Sequence, residues 1–519
     1  MRPKNRLVEN ISSETGARLF YMVTRFFIPP FVLGRIGLEG YGLYGAVFML
    51  VAYFGMSSIG FSNAYVKYVA SYSASGETDR ANRLLSSGFT LMTIAALVLF
   101  ALFVPAWPWV AGWMKVPAYL DSDAQILSLT IVGTFLAYLA LSVFRDALAG
   151  LQEISLVQKV WVVTVVVETA LIFGLVEMNL GLRGLGLAFL VRTGLEVALN
   201  RYFALRRVPW LRIHLVRPDR ESLRLLLNFG GVVQFNSMLA IFLSSIERFI
   251  ASPILGLEAA GVFDLGKRLP GMASSIPGAF AASLLPAAAH VHTVVGEASR
   301  RSELRRIYLS STRYMNAISG TLFAFLATCA GPCLLFWLGK VPPQATVLMA
   351  MFSISTQLHQ LTGTGTSLLK AAGRPQMEFH YSVTNVVTLR LLVPASRMLA
   401  GEWDILGIAW AVVVSTAFSA LWFLVKAHGV LGIAAKDIFQ RVALPGLLPW
   451  LAAAVTSLPL SHLVPIHSRW QALGLMAAAA GMYALAVAVL MLFAADNEER
   501  RLVRQLMPIR LRQAAPEAA

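Results

Sequence analysis

The sequence predicts an all-α, polytopic membrane protein with about 14 transmembrane helices. Three observations lead there. Apolar residues make up 57% of the chain and charged residues only 13%, with a mean hydropathy of +0.67. Soluble domains carry about a quarter charged residues. The apolar residues fall into runs of roughly 18–25, the length a helix needs to cross about 30 Å of hydrocarbon. Lipid satisfies no backbone hydrogen bond, so such runs must be helical. Finally, Lys and Arg gather in alternate loops, the pattern of a chain that crosses a membrane repeatedly.

The spans are expected near 12–36, 41–63, 86–107, 124–146, 157–178, 184–203, 225–250, 261–288, 309–332, 345–369, 378–399, 405–426, 442–462 and 470–493. Loops on one side hold 30 Lys and Arg; the other side has only Arg35, Lys115, Arg183, Lys340 and Arg469. Basic residues resist translocation, so both termini are expected in the cytoplasm. The net charge of +16 is thus a topology signal, and no nucleic-acid partner is expected. The largest basic loop, Arg201 to Arg224, reads as a solvated linker lying on anionic membrane lipids. No small-residue cleavage site follows the first apolar stretch, so no cleaved signal peptide is expected.

A long-period repeat organises the spans. Arg25 to Tyr44, RFFIPPFVLGRIGLEGYGLY, returns as Arg248 to Phe263, RFIASPILGLEAAGVF. Each copy carries an Arg, a Pro five residues later, an apolar run, then Leu-Glu, two residues, Gly, an aliphatic and an aromatic. Gly76-Glu77-x-x-Arg80 also returns as Gly296-Glu297-x-x-Arg300, and Ala149-Gly150 as Ala372-Gly373. The expected domains are therefore two six-helix bundles, residues 1–224 and 225–441, and a segment 442–519 with two extra spans and a tail. An even number of spans per copy relates the bundles by a pseudo-twofold axis along the membrane normal, with a substrate site between them.

Ionisable residues inside spans are costly and mark candidate sites. Arg18 and Arg25 are seven residues apart on one helix face, with Glu14 a turn before Arg18. Span 7 holds Glu247 and Arg248, and span 8 holds Asp264, Lys267 and Arg268. Arg25 has no acid within a turn, and Lys267 with Arg268 outnumber Asp264, so a cationic cavity for an anionic group is expected. Pairing through Glu14, Glu247 and Asp264 that merely holds helices together is the competing reading. Arg192 and Glu196, spaced i,i+4, read as a structural pair. Glu168 stands mid-span without a cation within a turn; proton coupling and a partner on another helix are both open. Pro29-Pro30 in span 1 and Pro270, Pro277 and Pro286 in span 8 can kink the helices that carry these charges. Cys329 and Cys333 read as packing residues. No P-loop, nucleophile elbow, dinucleotide fingerprint or Cys/His constellation occurs, so no catalytic group, cofactor or metal is expected.

The chain resembles the polysaccharide-transporter (Wzx-like, O-antigen and teichoic-acid export) family of the multidrug/oligosaccharidyl-lipid/polysaccharide flippase superfamily. LGRIGLEGYGLYGAVFML at Leu33–Leu50, SIGFSNAYVKYVA at Ser58–Ala70 and GETDRANRLLSSGFTL at Gly76–Leu91 carry the resemblance. It implies two six-helix bundles forming a V around a cationic lumen in the bacterial inner membrane. It also implies flipping of an undecaprenyl-diphosphate-linked oligosaccharide from cytoplasm to periplasm, for surface polysaccharides such as lipopolysaccharide O-antigen. The lipid II flippase relatives implicate arginines of span 1, which here are Arg18 and Arg25. Arg18, Arg25, Arg248, Lys267 and Arg268 are the expected substrate-binding set, and Glu168 and Asp264 the candidates for a proton or sodium counter-ion. Polysaccharide assembly proteins are the expected protein partners. The alternatives are a membrane glycosyltransferase or polymerase using the same lipid donor, and a multidrug exporter of the same superfamily.

Overall fold

The computed structural model describes residues 3–56, 59–230, 253–281, 284, 297–371, 376–400 and 404–494. No strand occurs among them, and the expected spans are helical as far as they are described; most of the seventh and the end of the eighth lie outside the described residues. Among the described residues seven helices are each long and apolar enough to cross a membrane, eight if one pair bent by 73° counts as a single span. Other expected spans are equally helical but diluted by polar residues, such as the Ser, Thr, Gln and His of Ala345–Ala371. The chain is a multi-pass helical membrane protein. Its internal contacts define two compact units, residues 1–264 with 403–405 and residues 265–402 with 406–519.

In the N-terminal unit α1 runs from Pro3 to Met56 as two helices merged across Gly37. Spans 1 and 2 were expected to be separated by a short loop; a single residue makes the break. Gly37 has φ 73°, a left-handed conformation that costs glycine little and other residues more. The second repeat copy breaks at the same place, Gly256 at φ 86°, directly before its own Leu-Glu. Then come α2 (Ile59–Ser75), α3 (Thr78–Trp113), α4 (Asp121–Leu141), α5 (Val143–Gly150), α6 (Ile154–Glu177) and α7 (Gly181–Arg207). α6 packs on α7 and α1, and α4 packs on α7 and α3. Phe61, Tyr65, Leu84, Leu85, Val143 and Leu148 form a buried cluster where α2, α3 and α5 meet.

The segment after α7 differs from the solvated linker expected of it. Residues 208–219 lie along α3, and their backbone is hydrogen-bonded to a polar row spaced four apart. Asn82 Nδ2 donates to the Trp210 carbonyl at 2.8 Å and Asn82 Oδ1 accepts from the Arg212 amide at 2.8 Å. Ser86 Oγ donates to the Arg212 carbonyl at 3.3 Å, and Thr90 Oγ1 accepts from the Val216 amide at 3.0 Å. Two extended residues advance about 6.6 Å and four helical residues about 6 Å, so the two registers match. Val208 and Leu211 seal the strap into the same apolar cluster.

In the C-terminal unit the helix Leu257–Ala273 (α8) contributes its residues after Asp264, with Pro270 inside it. α9 (Glu297–Thr328) packs against α11 (Ala345–Ala371) and continues, after a 73° bend, as α10 (Ala330–Leu338). Gln376–Ala400 (α12) and Ile405–Leu431 (α13) follow. The last two spans are Lys436–Leu463, which includes α14 (Leu444–Val455) and α15 (Ser457–Leu463), and α16 (Arg469–Ala494). They are tied to α9 by polar contacts in the apolar interior. Ser461 Oγ donates to the Thr328 carbonyl at the bend at 2.7 Å, and Tyr483 OH to the Thr321 carbonyl at 3.0 Å. Trp450 Nε1 donates to Gln357 Oε1 at 2.8 Å, whose Nε2 donates to Asn316 Oδ1 at 3.2 Å. Cys329 at the bend and Cys333 in α10 are buried free thiols.

Candidate functional site

The N-terminal unit contains a continuous chain of paired charged groups from four helices, with buried carboxylates, joined by hydroxyls from two more. It begins at Arg25 of α1. The Arg25 guanidinium lies over the Tyr21 ring, 4.8 Å from its centroid, and Tyr21 in turn meets Trp161 of α6. Arg25 Nη2 donates to Glu168 Oε2 of α6 at 2.8 Å, with side-chain exposures of 13% and 1%. Arg192 of α7 stands 3.8 Å from the same oxygen and donates to Glu196 Oε2 at 3.2 Å. Tyr138 OH of α4 donates to Glu196 Oε1 at 2.9 Å and accepts from Arg145 Nη1 at 3.0 Å. Arg145 of α5 holds Asp146 Oδ1 at 2.9 Å, and Ser62 Oγ of α2 donates to Asp146 Oδ2 at 2.6 Å.

Three arginines and three carboxylates thus balance one another along the path. Such pairing is what makes ions tolerable in an apolar interior, where an uncompensated charge is very costly. The compensation is incomplete at three donors: Arg25 Nε, Arg192 Nε and Tyr65 OH are buried with no hydrogen-bond partner among the described residues. Two of the three are guanidinium N–H groups flanking Glu168. An arginine with a spare donor can take a second anionic oxygen without first losing its carboxylate.

The expected site residues fall in different settings. Glu168 does have a cationic partner; it comes from other helices, which settles one of the two readings left open for it without bearing on coupling. Arg192 and Glu196 pair as their spacing predicts, but as a link in the chain rather than an isolated brace. Arg18 is 77% exposed and paired with Glu14 at 2.6 Å, unlike the buried Arg25. Asp264 accepts a hydrogen bond from Tyr41 OH at 2.8 Å within the N-terminal unit. Lys267 and Arg268 belong to the C-terminal unit, where Lys267 Nζ lies 6.0 Å from the Phe352 ring centroid. Arg248 and Glu247 lie outside the described residues. Sequence reasoning missed Tyr138, Arg145 and Asp146. Arg145 was read only as a loop cation; its adjacent acid at a span end was the available signal. No cluster of three or more metal-ligating side chains occurs among the described residues.

This helical arrangement is shared with known flippases and transporters. Over 94% of this chain and 99% of the other, it superposes on a lipid II flippase MurJ in an inward closed conformation, with a TM-score of 0.70 at 11% identity. An inward-facing multidrug resistance MATE transporter of the MOP superfamily matches over 80% of this chain and 94% of its own, with a TM-score of 0.59 at 14% identity. These likenesses show the fold, a helical membrane protein built like solved flippases and transporters. The profile of the polysaccharide biosynthesis protein family matches residues 7–292, more than half of the sequence, and the chain belongs to that family. The uncharacterized membrane protein EpsK of Bacillus subtilis (strain 168) is 21% identical over 346 residues, covering 66% of this chain and 67% of EpsK.

Proposed function

We propose that this protein is a flippase that moves a lipid-linked oligosaccharide from the cytoplasmic to the periplasmic face of the bacterial inner membrane, for surface polysaccharide assembly. Membership of the polysaccharide biosynthesis family and a flippase fold support the class. The observation that carries the substrate chemistry is Arg25, a buried intramembrane guanidinium with an unfilled Nε–H beside Glu168. An undecaprenyl diphosphate brings about two negative charges into the membrane, where a charge-assisted hydrogen bond is worth about 1.5–3 kcal/mol. Arg25 is the primary phosphate ligand in this reading. Arg18, Arg248, Lys267 and Arg268 are the further cations along the path, and both termini are cytoplasmic.

A phosphate oxygen that takes the spare Nε–H of Arg25 makes that guanidinium serve two anions and shifts Glu168, still bonded to it, toward Arg192. Substrate binding is thereby transmitted along the buried chain to α4, α5 and α2. Glu168 and Asp264 are the carboxylates at which a proton or sodium ion would be coupled. The function is transport, not bond making. Deleting the gene should accumulate one lipid-linked sugar on the cytoplasmic leaflet, and identifying that sugar names the substrate. A deletion strain with unaltered lipid-linked sugars and surface polysaccharide would overturn the proposal.

A further inference from the structure

The repeat places two glycines in equivalent positions, five residues after equivalent left-handed glycines: Gly42 after Gly37, and Gly261 after Gly256. Within the N-terminal unit these two equivalent positions meet. A methyl group built on Gly42 would overlap the Leu257 carbonyl oxygen and come within 3.3 Å of the Gly261 amide nitrogen. One built on Gly261 would lie 3.0 Å from the Leu38 carbonyl oxygen and 3.4 Å from the Gly42 amide nitrogen. Leu38 and Leu257 are themselves repeat equivalents, so the contact is reciprocal, each glycine lying against the helix start of the other copy. Backbone approaches backbone directly at Gly42, and at Gly261 the Leu38 side chain also reaches the contact, its Cδ1 3.2 Å from the methyl position.

Further contacts surround the crossing. Tyr41 OH donates to Asp264 Oδ2 at 2.8 Å. From the segment joining α3 to α4, Tyr119 OH bonds to the Glu39 carboxylate beside the first copy, and Lys115 Nζ donates to the Ile254 carbonyl of the second at 2.7 Å. Lys115 and Arg35, the latter four residues before Glu39, are among the few cations on the sparsely charged side of the sequence. That side is the outer one if both termini are cytoplasmic.

We propose that the Gly42–Gly261 crossing is the outer gate of the transport path, closed in this structure and parted to release cargo outside. A glycine contact suits a gate for a physical reason. It lets two helices pack tightly enough to exclude water. Separating them gives up a few side-chain ties, the Tyr41–Asp264 and Lys115–Ile254 hydrogen bonds and the Leu38 contact, rather than an interlocked core. The proposal rests on the flippase reading for its purpose and on the cytoplasmic termini for its side of the membrane.

The test reads the gate without cargo. Ala46, buried and one helical turn beyond Gly42 on the same face, is replaced by cysteine in a chain whose buried Cys329 and Cys333 are changed to alanine. Whole cells are then treated with a membrane-impermeant maleimide. Gly42→Ala should raise the labelling rate of that cysteine about tenfold or more, the change expected when a minor open state becomes a major one. Surface polysaccharide should fall at unchanged protein abundance. Gly45→Ala on the same helix, whose methyl would meet nothing within 4 Å, should change neither. Should Gly42→Ala fail to accumulate, Gly261→Ala, a milder intrusion, is read in the same way. Unchanged labelling overturns the gate whatever happens to export, and a rise seen only in inverted vesicles overturns its outer placement. Raised labelling with normal export upholds the gate and counts against the flippase reading instead.

Discussion

Arg25 and Glu168 are 143 positions apart in sequence and 2.8 Å apart in space. Nothing in local spacing could join them, whereas Arg192 and Glu196 were legible because four residues make one helical turn. That contrast marks the limit of reading charges in a membrane helix: the partner is visible only when it lies on the same helix. Removing one member of a buried pair strands the other, a loss of about 3–5 kcal/mol. Glu168→Gln and Arg25→Gln should each lower stability in detergent unfolding by about that range. The double variant should lose less than the sum, with a coupling of about 0.5–3 kcal/mol. Additive losses would mean that the two residues do not depend on one another. Farther along the chain, Tyr138→Phe breaks a hydroxyl bridge between Glu196 and Arg145 and should cost about 1–3 kcal/mol.

At the scale of elements, the strap over α3 was read as a linker on headgroups because its composition is basic. The residues that dock it, Asn82, Ser86 and Thr90, lie in the first half of α3, one helical turn apart. Their spacing matched an extended segment more than 120 residues away, a pairing that only the fold reveals. Asn82→Ala removes two of the strap's hydrogen bonds, and trypsin added to inverted vesicles should then cut at Arg212 several-fold faster at unchanged α3 insertion. The strap ends at Asp219, which accepts from the Ser222 amide at 2.8 Å and from Ser87 at 3.2 Å. Partial burial pushes its carboxyl up, but the hydrogen bonds from Ser222, Ser87 and the Glu221 amide outweigh this and hold it below the usual range. A carboxyl lowered on folding stabilises above its unfolded value, about 3.9, and that stabilisation is lost as pH falls through the lower folded value. Hydrogen-exchange protection of the Ser222 amide should therefore be level from pH 7 to about 5 and collapse only below about 4. Loss of protection between pH 7 and 5 would contradict this role for Asp219.

For the whole molecule, the membrane class followed from apolar runs and loop charge, and the repeat from two short stretches around Arg25 and Arg248. The structure adds why the repeated Gly-Leu-Glu matters, since Gly37 and Gly256 both turn the chain in left-handed conformations. What the sequence could not show was that the cations divide. Arg25 is buried and compensated, Arg18 is exposed, and Lys267 and Arg268 belong to the other compact unit. The central claim is that Arg25 engages the phosphate of a lipid-linked sugar during export. Its most direct test replaces the chromosomal copy with Arg25→Ala and, separately, Arg25→Lys, and measures protein abundance, surface polysaccharide and lipid-linked sugar on the cytoplasmic leaflet together. Arg25→Lys should insert and accumulate normally, with export only partly restored because lysine lacks the planar fork. Arg25→Ala should lose surface polysaccharide and accumulate precursor, out of proportion to any fall in abundance. An Arg25→Ala protein with normal abundance, normal surface polysaccharide and no accumulated precursor would contradict the claim.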